Sequence, residues 1–177
     1  MDKLIIKGGS KISGSVNVHG SKNSALPIIV SSLLSEKTLK LSNVPNVVDV
    51  LNLIKLLKNY GVKIEHKKNK LKINPSKIKN LSADYDVVRK MRASILILGP
   101  LLSRFGEARI SLPGGCAIGT RPIDIHLAGL SKLGANFEIQ NGFVVGSVKS
   151  QLIGNKIKLP FPSVGAVSYT HLRAHET

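Results

Sequence analysis

The chain has no tryptophan, and three tyrosines and four phenylalanines are its only aromatics. That leaves few platforms on which single-stranded bases could stack. A single cysteine in 177 residues excludes an internal disulfide and fits a reducing cytoplasm. No apolar run reaches the length of a membrane span, and Met1-Asp2-Lys3-Leu4 opens no secretory pattern. Acidic residues are scarce: ten stand against 26 basic ones, for a formal net charge of +16. A basic domain raises nucleic acid as a partner. Here the charge is mostly lysine scattered along the first two thirds of the chain. Lys55, Lys58, Lys63, Lys67, Lys68, Lys70 and Lys72 read as solvated faces of a helix and a hairpin. The safer inference is a general pull on anionic metabolites, with no nucleic acid and no membrane as partner.

What is present begins with Cys116. It sits in Leu112-Pro113-Gly114-Gly115-Cys116-Ala117-Ile118-Gly119-Thr120-Arg121-Pro122. Two glycines before it and one after leave a loop whose backbone N–H groups can approach a ligand closely. Arg121, five residues on, supplies a fixed cation that favours a thiolate and draws an anion. The competing reading is an inert, buried thiol.

The rest of the chain repeats itself. One copy predicts a helix over 25–35, a strand over 38–41, a turn at Pro45 and a second helix over 48–60. Val50, Leu53, Ile54 and Leu57 fall on one face of that second helix, and Gly61 stops it. Strands at 62–65 and 70–73 close the unit. The second copy predicts a helix over 93–103, a strand over 109–112, a helix over 123–133 stopped by Gly134, and strands at 136–139 and 143–145. Such duplicated units need sheets to cover their helices and place the chain in the α/β class. A third copy is expected to begin near 156–159, with its helix starting at 163–166. That helix does not arrive. Residues 167–177 lack its apolar run and read as a foreign tail. His171 and His175 there stand i, i+4, but no acid completes a metal motif, so no metal is expected.

Several side chains have two readings from the residues alone. Lys22 and Asn23 precede a helix whose N-cap is expected at Asn23 or Ser24. The same helix start beside a lysine suits an anion. Arg92 is either a surface residue paired with Asp86 or Glu107, or a ligand contact. His126 is a helix-face histidine or a base. Asp49 and Asp124 stand where the second helix of each copy begins and read as caps. Arg104, in a polar turn, is expected to tolerate alanine.

Four segments carry a resemblance. Pro113 to Pro122 with Asp124 resembles the catalytic loop of the UDP-N-acetylglucosamine enolpyruvyl transferase family, part of the EPSP synthase-like superfamily. Gly20-Ser21-Lys22-Asn23-Ser24-Ala25 is similar to that family's phosphoenolpyruvate-contacting segment. Met91-Arg92-Ala93-Ser94 resembles its arginine-bearing helix, and Pro162-Ser163-Val164-Gly165-Ala166 a later nucleotide-contacting turn. The resemblance covers about residues 1–166. It implies an inside-out α/β barrel of repeated helix-strand-helix-strand-strand units, here cut after two. Residues 1–21 are then strands of a second domain, and 22–166 an incomplete first domain with units at 22–77 and 92–148 and a third starting at 156–166. It implies a cytoplasmic enzyme of peptidoglycan synthesis, and the target of fosfomycin. Such an enzyme moves the enolpyruvyl group of phosphoenolpyruvate to the 3′-hydroxyl of UDP-N-acetylglucosamine without a cofactor. Cys116 is implied as general acid. Lys22 and Arg121 hold the phosphate and carboxylate. Asn23, Arg92, Arg121, Pro122, Ile123, Asp124, Ile125, Ser163 and Val164 orient the nucleotide-sugar. The catalytic base lies in a second domain beyond Thr177. The chain alone is therefore expected to be inactive, with the apolar faces of its inner helices uncovered. The alternative is a non-catalytic anion- or nucleic-acid-binding module.

Overall fold

The computed structural model describes residues 3–9, 11–78, 80–81, 92–111 and 123–158. The duplication is plain in its topology. The first copy runs α1 (Lys22–Ser31), a 3₁₀ turn (Ser32–Leu34), β1 (Leu39–Leu41), α2 (Val48–Asn59), β2 (Lys63–Lys67) and β3 (Lys70–Asn74). The second runs a 3₁₀ helix (Arg92–Ile97), α3 (Leu98–Phe105), β4 (Glu107–Ser111), α4 (Asp124–Lys132), β5 (Ala135–Gln140) and β6 (Phe143–Val148). Each copy makes an antiparallel three-stranded sheet with its last strand in the middle, in the orders β1-β3-β2 and β4-β6-β5.

The helix ends follow from local chemistry. Gly61 has φ 92° and Gly134 φ 102°, a left-handed conformation that side chains resist. At the first, the Gly61 N–H bonds the Lys58 carbonyl at 2.9 Å and the Val62 N–H bonds that of Leu57 at 3.1 Å. This is the paired C-terminal closure that a glycine permits. The helix expected over 93–103 is instead split. Pro100 has no N–H to donate to Leu96, so the α-helix starts at Leu98 and takes Pro100 into its first turn. The residues before it wind as 3₁₀.

One apolar core joins both copies. Ile29, Val30 and Leu33 of the first inner segment and Ile97, Leu98, Leu101 and Leu102 of the second are fully buried. The expectation of uncovered inner helices is thus corrected for the described residues, with Ile28 the exception at 46% exposed. The reason is mutual cover: α1 packs against the 3₁₀ helix Arg92–Ile97, and α3 against the turn Ser32–Leu34. Tyr60 is buried against α2, and burial pushes its phenol far above the ordinary range, so it stays neutral. The strands that the resemblance implies within residues 1–21 do not form among the described residues. Residues 3–9 and 11–20 hold no helix or strand, and Leu4, Ile5, Ile6, Val16 and Val18 stand in solvent. These residues pair with none of the described strands, whose two sheets are complete as β1-β3-β2 and β4-β6-β5. Residues 156–158 are likewise not a strand.

Arg104 lies within α3, not in the polar turn expected of it. Only 14% of its side chain is exposed. Its guanidinium leaves α3 to donate to the carbonyls of Leu33 (3.2 Å), Ser35 (3.3 Å) and Pro75 (3.2 Å), and to Glu36 Oε1 (3.0 Å). It pins the second copy to the end of the first inner helix. Arg104→Ala is therefore expected to cost about 2–3 kcal/mol, because three carbonyls lose one charged donor. A urea melt reads this as a lower midpoint; an unchanged midpoint contradicts it.

Candidate functional site

The described part of the site is built at helix starts. The N-cap of α1 is Ser21, not Asn23 or Ser24, and it makes no side-chain cap bond. The first intrahelical bond runs from the Ala25 N–H to the Ser21 carbonyl at 2.9 Å. The N–H groups of Lys22, Asn23 and Ser24 therefore have no acceptor within the helix. Gly20 fixes the approach to this start. Its N–H donates to Asn43 Oδ1 at 3.2 Å, and a Cβ there would overlap the Asn43 carbonyl oxygen.

Lys22 occupies the first position of α1, where the helix dipole disfavours a cation. Its partner is Asp49: Nζ lies 2.7 Å from Oδ2, with both side chains partly exposed. Asp49 is not a cap, since the N-cap of α2 is Val47 and makes no side-chain cap bond. It is the second residue of α2, so the ion pair draws together the first turns of α1 and α2. Two positive helix ends and one ammonium there face a single carboxylate. The balance favours an added anion. Nothing in the sequence spacing marks Asp49 as the partner of Lys22; the signal was its place in the first turn of an amphipathic helix.

Arg92 begins the 3₁₀ helix that packs against both α1 and α2. Ile123 is the N-cap residue of α4, and Asp124 its exposed first residue, not its cap. Ile123 and Ile125 pack partly buried against the core. The Ile123 carbonyl accepts from the N–H groups of both His126 (2.9 Å) and Leu127 (3.1 Å), so α4 opens with a tightened first turn. Lys22 and Asp49 are brought together. Cys116, Arg121, Pro122, Ser163 and Val164 lie outside the described residues, as do His171 and His175. Among the described residues no three His, Cys, Asp or Glu side chains gather as for a metal ion. No described helix is long and apolar enough to cross a membrane.

Comparison with known proteins gives a consistent answer. A sequence model of EPSP synthase (3-phosphoshikimate 1-carboxyvinyltransferase) matches residues 6–173. UDP-N-acetylglucosamine 1-carboxyvinyltransferase of Campylobacter fetus is 53% identical over 157 residues, covering 89% of this chain and 38% of the relative. The enzyme of the same name from Buchnera aphidicola is 51% identical over 166 residues, covering 94% and 40%. The chain thus spans about two fifths of the length of these relatives. Among solved structures, the EPSP synthase of Acinetobacter baumannii superposes with a TM-score of 0.69 at 21% identity, covering 90% of this chain and 38% of that one. The enolpyruvyl transferase NikO of Streptomyces tendae gives 0.68 at 21%, covering 82% and 32%. These two establish the fold, the inside-out α/β arrangement of enolpyruvyl transferases.

Proposed function

The chain belongs to the EPSP synthase (3-phosphoshikimate 1-carboxyvinyltransferase) family, and from that footing we propose that it is the first catalytic part of a UDP-N-acetylglucosamine enolpyruvyl transferase. The observation that carries the choice of acceptor is its identity, near one half, to relatives of that name. The Cys116 loop supports it, because the shikimate-pathway enzyme that the family resembles lacks that cysteine.

In this reading the reaction is addition followed by elimination. The sugar 3′-oxygen attacks C2 of phosphoenolpyruvate while the Cys116 thiol protonates the methylene C3. Loss of phosphate from C2 and of a proton from C3 then leaves the enolpyruvyl ether. Positive charge develops at C2. Lys22 and Arg121 neutralise the phosphate and carboxylate, which favours that centre. The Lys22 ammonium is held for this role by Asp49 across the two helix starts. Asn23, Arg92, Pro122, Ile123, Asp124, Ile125, Ser163 and Val164 orient the nucleotide-sugar.

The division of the chain follows the same reading. Residues 1–21 complete the sheet of a second domain, which agrees with their unpaired, exposed apolar side chains. Residues 22–166 form an incomplete first domain, and 167–177 are foreign to it, although the family match runs on to residue 173. The second domain supplies the base for the sugar hydroxyl and closes the site against water.

The test is the reactivity of Cys116. Its thiol is expected to react with iodoacetamide at neutral pH faster than a free model thiol, read by mass spectrometry of the native chain. Fosfomycin is expected to alkylate it once the chain is completed to the relatives' length. A thiol that labels only after denaturation overturns the assignment.

A further inference from the structure

The outward faces of the two sheets carry very different charge. They share one topology, so the fold itself sets no demand for either. On the first sheet Lys40, Lys63, Lys67, Lys70 and Lys72 point to solvent with one acid, Glu65. On the second the charged outward residues are Arg109, Glu107 and Glu138, and the middle strand presents Phe143, Val145 and Ser147. Arg109 there lies over the Phe143 ring, 4.4 Å from its centre, and is spent on that contact.

The first sheet also sets like charges directly opposite one another. Lys40 pairs across the strands with Lys72, and Lys67 with Lys70. Such pairs destabilise a sheet. One of these lysines has relief: Lys72 Nζ lies 3.0 Å from Glu65 Oε1. Lys40, Lys67 and Lys70 have no acidic partner among the described residues. Together with Ser42 these side chains rim a groove of about 410 Å³ that crosses the strands at Leu41 and Leu71, whose own side chains turn inward to the core. Four lysines against one glutamate leave it a surplus of three positive charges. It shares no residue with the Lys22–Asp49 pair.

We propose that this groove on the outer face of the first sheet binds a small oligophosphate anion. Its volume falls in the range of small-molecule sites. Lysine ammonium groups meet phosphate as point charges, without the planar fork that a carboxylate selects. No aromatic ring lines the groove, so phosphate is recognised and a base is not stacked. Three close phosphates supply the charge that the opposed lysines lack.

The experiment is calorimetric titration of the chain with inorganic tripolyphosphate, alongside orthophosphate and a random-sequence DNA duplex. Tripolyphosphate is expected to bind at least tenfold tighter than orthophosphate. Lys67→Gln with Lys70→Gln is expected to weaken it at least tenfold. Lys55→Gln with Lys58→Gln, two exposed lysines of α2, is expected to change it less than twofold. Glu65→Gln is expected to tighten it, which loss of a merely structural ion pair does not explain. All four substituted lysines are exposed, and thermal melts confirm that each variant is folded. Equal losses from the two double variants overturn the proposal, as does orthophosphate binding as tightly as tripolyphosphate. So does a duplex that outcompetes tripolyphosphate with a salt slope steeper than about three released counterions, which assigns the face to nucleic acid.

Discussion

Lys22→Ala, made in an enzyme completed to the relatives' length, is expected to cut turnover of phosphoenolpyruvate by about 10²–10³-fold. The lysine stands at a helix start where local physics disfavours it. Removing it leaves the orphan N–H groups of α1 to hold a dianion unaided, and leaves Asp49 as an unpaired carboxylate beside the anion. Asp49→Asn separates these effects. An exposed ion pair contributes about 1 kcal/mol or less, so the loss of Asp49 is expected to shift KM for phosphoenolpyruvate by no more than about fivefold. Steady-state kinetics with phosphoenolpyruvate varied checks both. A Lys22→Ala enzyme of normal KM and kcat contradicts the site, whatever Asp49→Asn does.

Arg121→Ala carries a comparable expectation, a loss of about 10²–10³-fold in kcat/KM. The guanidinium is asked to do two things: grip an anionic group through two parallel hydrogen bonds, and hold a positive field on Cys116. The second gives a distinct readout. Without the arginine the Cys116 thiol ionises at higher pH, so the limb of the pH–rate profile that reports the thiol moves upward. Lys55→Ala, on the exposed side of α2, is expected to leave both rate and profile in place. Equal effects from Arg121 and Lys55 remove the case for a site.

How much of this was legible in the chain depends on the range of the physics involved. The stops at Gly61 and Gly134 were readable because a left-handed residue after a helix selects glycine within two positions. The face of α2 was readable because Val50, Leu53, Ile54 and Leu57 recur with the helix turn, and all four are buried. The duplicated order of elements along the chain was readable from the same local signals, taken twice, whereas the pairing of the first strand of each copy with its last was not. Long-range polar contacts were not readable. Arg104 reaches residues 29 to 71 positions away, and no turn propensity announces that. Asp49 meets Lys22 across 27 positions for the same reason. The split at Leu98 was readable and was missed: Pro100 forbids the bond that a helix through 93–103 needs. The strands within residues 1–21 were implied by the resemblance alone, and residues 3–9 and 11–20 pair with no described strand.

The central claim is that the chain holds one half of a catalytic site, with the base for the sugar hydroxyl supplied by the length that the relatives have and this chain lacks. Phosphate release from phosphoenolpyruvate and UDP-N-acetylglucosamine, measured on the chain alone and on a completed enzyme, tests it most directly. The account predicts no turnover by the chain and steady turnover by the completed enzyme, lost in Cys116→Ser. Steady release by the chain alone, abolished by Cys116→Ser, contradicts it and places the base within these 177 residues.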